Sequence, residues 1–167
     1  KSDSNIVVPS TLKDLQSLLD EANAMNNNTP SFGESLSDDY YLTTENYNTF
    51  SVQEQEKYKW NIRPYNFEND WSLGYSPVFN ANLCLEVLED IDSTAANAAA
   101  WNNVKGSALF YRAYHFLNLA WIYAQAYDPA TYNTDLGIVL RTETDFNVEY
   151  DRATVKETYD RIIMDAT

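Results

Sequence analysis

Residues 106–128, GSALFYRAYHFLNLAWIYAQAYD, decide the fold class. The segment reads as one helix, yet it is not amphipathic. Leu109, Ala113, Phe116, Leu117, Ala120 and Ala124 share one side, Phe110, Tyr114 and Trp121 a second, and His115, Leu119 and Ile122 a third. A helix that is apolar nearly all round is either a membrane span or an interior helix. A span needs about 20 predominantly apolar residues. Arg112, His115, Asn118 and Gln125 interrupt this run. It is therefore expected to be the inner helix of a helical array, with neighbours on at least two sides. Ala108, Ala113, Ala120 and Ala124 let those neighbours approach, while Tyr111, Tyr114, Tyr123 and Tyr127 can bury rings whose hydroxyls find partners.

Working outward, Leu12, Leu15, Leu18, Leu19 and Ala22 fall at helical spacing and predict a helix over 11–25, opened by Thr11 with Asp14 three residues on. The run NNNTP ends it. Residues 31–70 read as mostly irregular with short helices, FSVQEQEKYKW being good for two turns. A second long helix ends near Ile91. Its start lies between Asp70 and Ser76, because Ser76-Pro77 is a good cap-and-first-turn pair while Trp71 and Tyr75 extend the apolar pattern upstream. STAANAAAWNN reads as a linker with a turn of helix in its alanines, and GIVLR as a short extended run. Thr154 and Glu157 form a capping box that opens a last helix with Val155, Tyr159, Ile162 and Ile163 on its apolar face. The expected fold is all-α: tetratricopeptide-like antiparallel helix pairs with long irregular loops, helices 11–25, 71–91, 105–127 and 154–167 packing with the third at the centre.

The chain of 167 residues suits one domain. Its 11 Lys and Arg against 25 Asp and Glu give a net charge of −14, which argues against nucleic acid and anionic lipid as partners. With one cysteine, Cys84, no internal disulfide can form, and its apolar helical setting suits a buried small hydrophobe. The sequence carries no Gly-rich phosphate loop, metal-binding pair or nucleophile elbow, so no catalytic residue, metal or cofactor is expected.

Four segments together resemble the SusD/RagB family of Bacteroidetes outer-membrane nutrient-binding lipoproteins. They are SLSDDYYL; WSLGYSPVFNANLCLEVL, with Trp71, Tyr75, Ala81, Asn82 and Leu85 at the family's spacing; VKGSALFYRAYHFLNLAWIYA; and TDLGIVLR followed by RATVKETYDRIIMD. Their order spans nearly the whole chain. Ser107 stands where the family usually has Glu, and AQAYDPATYN replaces its common turn. The resemblance implies a cell-surface lipoprotein at the outer membrane, held only through a lipid anchor absent from these residues. It implies capture of oligosaccharides or peptides for a SusC-like TonB-dependent transporter barrel. It also implies that residues 1–167 are the N-terminal helical domain of a chain about three times as long. No enzymatic activity is expected. The alternatives are a helix-repeat scaffold that binds protein and a fragment of an all-helical glycoside hydrolase.

Several residues have competing readings. Asp38, Asp39, Tyr40 and Tyr41 can meet a metal or sugar hydroxyls, but capping a local turn with the tyrosines packed inward is the commoner role. Arg112 reads as a buried structural arginine and His115 as a satisfied interior histidine. Asn82 is expected to tie its helix to a loop. The stretch WNIRPYNFENDW is different, because its Pro- and Asn-rich backbone leaves rings free of helix packing. Trp60, Tyr65 and Trp71 offer rings to a sugar face there, alongside Phe67, and Asn61 and Arg63 offer hydrogen bonds to hydroxyls; packing of this loop on the helices is the competing reading.

Overall fold

The computed structural model describes residues 9–61 and 70–167. In the described residues the chain order is α1 (Leu12–Leu19), α2 (Ala22–Asn26), α3 (Phe32–Ser35), α4 (Thr44–Thr49), α5 (Val52–Tyr58), α6 (Asp70–Glu89), α7 (Ala98–Tyr123), β1 (Leu136–Val139), β2 (Arg152–Thr154) and α8 (Val155–Ala166). Among the described residues the fold is all-α apart from one antiparallel two-stranded ladder, β1 with β2.

The long helices form where their apolar residues can be buried, even against local preference. α6 starts at Asp70 and runs through Pro77, so Ser76-Pro77 does not open it. Proline inside a helix costs about 3 kcal/mol through a lost N–H and a steric clash. Burying Val78, Ala81, Cys84 and Leu88 from the same helix, along with Pro77 itself, outweighs that cost. α7 absorbs the alanines of the expected linker and begins at Ala98. It stops at Tyr123, whose carbonyl accepts from Arg152 Nη2 at 2.7 Å, a cation at the negative end of the helix. The expected first helix is broken at Asp20–Glu21. The Glu21 side chain accepts from the Asn23 N–H and restarts the helix as α2, a local bond that competes with continuation. The capping boxes of α1 (Thr11, Asp14) and α8 (Thr154, Glu157) form, as does one at Ser51 and Glu54 opening α5.

α6 and α7 run antiparallel and close together. A Cβ on Gly74 would lie 2.7 Å from Leu119 Cδ2, so any larger residue there would have to push the Leu119 side chain aside. The core has two halves. Leu15, Leu19, Met25, Ala81, Cys84, Leu88, Val104 and Ala108 bring α1, α2 and the distal half of α6 onto the start of α7. Val78, Ala113, Phe116, Leu119, Ala120, Ile138 and Ile162 bring the start of α6, β1 and α8 onto its second half. Gly137 lets β1 lie on α8, since a Cβ there would be 2.1 Å from Thr158 Oγ1. Burial pushes the Cys84 thiol up to about 12, which keeps it unreactive.

α7 is central, with α6, α1 and α8 around it, but it is not enclosed. Phe110, Tyr114 and Trp121 remain exposed, Trp121 at 66%. The expectation of burial nearly all round fails on this one side, where no element among the described residues packs. The tyrosines after Asp39 also depart from expectation. Tyr40 donates to the Ser35 carbonyl at 2.8 Å and its ring meets Tyr58, but Tyr41 is 82% exposed. The hydroxyl of Tyr58 already accepts from the Leu42 N–H at 3.1 Å, which fixes this turn without Tyr41.

His115 is fully buried on α7. Its Nε2 lies 2.8 Å from the Met25 carbonyl, so that nitrogen carries the proton, and Nδ1 has no hydrogen-bond partner. Burial holds its pKa below the ordinary histidine value, the Met25 bond opposing this only in part. The folded chain therefore resists protonation that the unfolded chain accepts. This stability is complete above about pH 6.5, the unfolded histidine value, and is lost as pH falls from there toward the depressed folded value. Thermal melts from pH 8 to pH 5 should show a falling midpoint, and His115→Gln should flatten that slope. Phe116→Ala should destabilise the fold by roughly 3–5 kcal/mol in denaturant titrations, since Phe116 is fully buried at the centre of the second core half.

Candidate functional site

One face of α6 carries Trp71, Tyr75, Val78, Phe79 and Asn82, spaced by three or four residues. The segment leaving β1 returns across this face. Three side chains of this face hold it there. Tyr75 Oη donates to the Val139 carbonyl at 2.7 Å. Asn82 Nδ2 donates to the Arg141 carbonyl at 3.0 Å and the Glu143 carbonyl at 3.4 Å. The rings of Phe79 and Phe146 stack at 5.1 Å. Burial raises the Tyr75 pKa well above the ordinary phenol value, so this hydroxyl stays a donor.

Between helix and segment lies a cavity of about 500 Å³, walled chiefly by Trp71, Tyr75, Phe79, Phe146, Arg141 and Glu143. The Trp71 ring is set by its neighbours, with Tyr75 at 5.1 Å and the edge of Tyr123 at 5.0 Å. A second hollow of about 560 Å³ lies beyond the same segment. Its aromatic ring, Trp101, is committed to the fold: Nε1 donates to the Ile91 carbonyl at 2.9 Å, and Lys105 Nζ covers the ring at 5.0 Å. The first cavity is thus the better candidate for a ligand.

The return segment is anchored from below. Arg112 is buried and makes a two-pronged pair with Asp165, Nε to Oδ2 at 2.6 Å and Nη2 to Oδ1 at 2.7 Å. Its Nη1 donates to Asn82 Oδ1 at 3.0 Å. That bond fixes the orientation of the Asn82 amide, so its NH₂ faces the carbonyls of the segment. Arg112 therefore binds α7, α8, α6 and the cavity wall into one network, with Asp165 as its carboxylate. As sequence reading proposed, Asn82 ties its helix to a loop.

The residues proposed from sequence lie in different places. Trp71 lines the cavity. Arg63 and Tyr65 lie outside the described residues, as does Phe67. Trp60 and Asn61 close α5. The Asn61 N–H donates to Glu56 O at 2.9 Å and the Trp60 N–H to Lys57 O at 2.8 Å, the bond pair of a Schellman ending. Trp60 takes the left-handed position, φ 59°, where glycine is the usual residue. A side chain costs about 1 kcal/mol or more there, and Trp60 is 64% exposed. The Asn61 amide is bonded to the Glu56 carboxylate. Tyr75, Phe79, Arg141, Glu143 and Phe146 were not singled out as site residues. The helical spacing from Trp71 pointed to Tyr75 and Phe79; nothing local pointed to Phe146.

Among the described residues, no group of three or more His, Cys, Asp or Glu is placed to hold a metal ion, and no helix is long and apolar enough to cross a membrane.

A family model of SusD-like proteins, described as starch-binding and associating with the outer membrane, matches residues 1–167. Two solved structures share the fold. A candidate sugar-binding protein from Bacteroides vulgatus aligns with TM-score 0.73 and 22% identity, over 95% of this chain and 36% of that one. A SusD superfamily protein from Bacteroides thetaiotaomicron aligns with TM-score 0.66 and 19% identity, over 93% of this chain and 36% of that one. The chain thus spans little more than a third of either. No curated protein matches it.

Removing Asp165 leaves Arg112 buried without its carboxylate. Asp165→Ala should cost roughly 3–5 kcal/mol in equilibrium unfolding. Asn82→Ala should loosen the return segment while keeping the helices, read as faster amide exchange in residues 141–145 at unchanged far-ultraviolet circular dichroism.

Proposed function

The chain belongs to the SusD-like family, and on that premise we propose that it captures oligosaccharides at the cell surface without cleaving them. The observation that carries this reading is the aromatic-walled cavity beside α6. Flat rings suit the apolar faces of sugars, and a few polar groups beside them suit hydroxyls. The described relative from Bacteroides vulgatus is a candidate sugar binder, which agrees with a glycan in preference to a peptide. Trp60 supports the same reading. A large exposed ring at a left-handed position is poor for stability, and presenting it to a ligand gives it a use. Trp60, Asn61, Arg63, Tyr65 and Trp71 are proposed ligand contacts, with Trp71 shared between this stretch and the cavity.

Within this reading residues 1–167 act as an N-terminal helical domain of a longer outer-membrane lipoprotein. That protein delivers its cargo to a SusC-like TonB-dependent transporter. Loops from the rest of such a protein would complete the site, so residues 1–167 alone should bind sugars weakly.

In the longer polypeptide, Trp60→Ala should weaken oligosaccharide binding by about tenfold, in line with the loss of one ring contact, with no change in melting temperature. Trp71→Ala should weaken binding too, with some loss of stability through Tyr75 and Tyr123. Calorimetry paired with thermal melts separates the effects. Reducing-sugar release abolished by one carboxylate substitution would instead make this a hydrolase.

A further inference from the structure

We infer that the cavity beside α6 is built for an acidic glycan, with Arg141 receiving a carboxylate of the sugar; this rests on the capture reading above. Arg141 lines the cavity. Its guanidinium carbon lies 5.5 Å from the ring centre of Phe146 and 5.3 Å from that of Tyr150. Nη2 donates to the Asp145 carbonyl at 2.5 Å. The backbone of Arg141 is pinned as well, its carbonyl by Asn82 and its N–H by the Val139 carbonyl at 3.1 Å. A guanidinium has five N–H donors, and among the described residues this one makes a single hydrogen bond, to a backbone carbonyl.

No carboxylate of the described residues pairs with it directly: the Asp145 carboxylate, held below its ordinary pKa by the Asn147 bonds first and by the Arg141 charge last, accepts at Oδ1 from the Asn147 N–H and Nδ2. Among the described residues the ion pairs run from Lys59, Arg112, Lys156 and Arg161, and none includes Arg141. The chain has 25 acidic residues against 11 basic ones, so an arginine outside every ion pair of the described residues is against the odds of its composition. The nearby Glu143 does not supply one: its Oε1 accepts from the Tyr150 hydroxyl at 2.5 Å. The cation is thus fixed between two rings, in place before any ligand arrives, beside a wall of aromatic residues. A planar fork held this way suits a carboxylate and loses little freedom in binding one. Sugar faces on the rings and a carboxylate on Arg141 describe a uronic acid oligomer. The net charge of −14 opposes an anion at long range, but salt screens that field beyond about 8 Å.

The test is calorimetry on the longer polypeptide with trigalacturonate, maltotriose and triglutamate, using the native chain, Arg141→Gln and Arg141→Lys. Trigalacturonate should bind at least about tenfold more tightly than maltotriose, the size of one charge-assisted contact. Arg141→Gln should erase that preference, and Arg141→Lys should keep part of it, because charge remains while the fork is lost. Equal affinity for the acidic and neutral trisaccharides overturns the inference. So does a preference that survives in Arg141→Gln, or triglutamate binding as tightly as trigalacturonate. If Arg141→Gln does not fold, the native chain and Arg141→Lys decide between these outcomes. Maltotriose binding that depends on Trp71, without acidic preference, sinks this inference alone. No binding of either sugar sinks the capture reading with it.

Discussion

The buried pair of Arg112 and Asp165 is the interaction on which the rest of the structure depends. Two charges in an apolar interior are costly, and such pairs seldom add much net stability over well-packed apolar residues. Their value here is positional. The fork of Arg112 uses two donors on Asp165 of α8 and a third on Asn82 of α6. Each bond demands one orientation of its partner. The two apolar core halves meet around this node, and hydrophobic burial, which has no direction, would let the helices slide where the fork does not.

The consequence reaches the surface through Asn82. Its oxygen is taken by Arg112, so its nitrogen must face outward to the carbonyls of Arg141 and Glu143. Those carbonyls belong to the segment that closes the cavity and carries Phe146 and Arg141. A charge pair in the interior thereby sets where an aromatic ring and a cation stand at the rim. A binding wall on an irregular segment needs such support, because loops without it move more than the elements they join.

Much of the scaffold was legible in the sequence, because it follows from periodicity and capping. The central place of the helix in the 106–128 stretch, the box at Thr154 and Glu157, and the roles of Asn82 and Arg112 could be read from residue type and local pattern. What could not be read depends on tertiary partners. Pro77 looked like a helix start, because its local cost is visible in sequence while the burial that outweighs it is not. The carboxylate for Arg112 lies 53 residues away at Asp165. The stacking of Phe146 on Phe79 likewise has no local signature. The open side of α7 went unseen because an apolar residue reads the same whether or not something covers it. At the site, Trp71 was legible as an aromatic at the edge of a helix, whereas the role proposed for Arg141 rests on its belonging to no ion pair among the described residues, which has no signature in sequence.

The central claim is that the pair works by positioning the segment and adds little to net stability. Replacing both members, Arg112→Met with Asp165→Leu, and following amide hydrogen exchange across the whole chain tests it most directly. The account predicts a chain whose helices keep their protection and whose melting temperature stays close to that of the native protein, while exchange in residues 139–146 accelerates at least about tenfold. Unchanged exchange in that segment, with or without a shift in melting temperature, would contradict it.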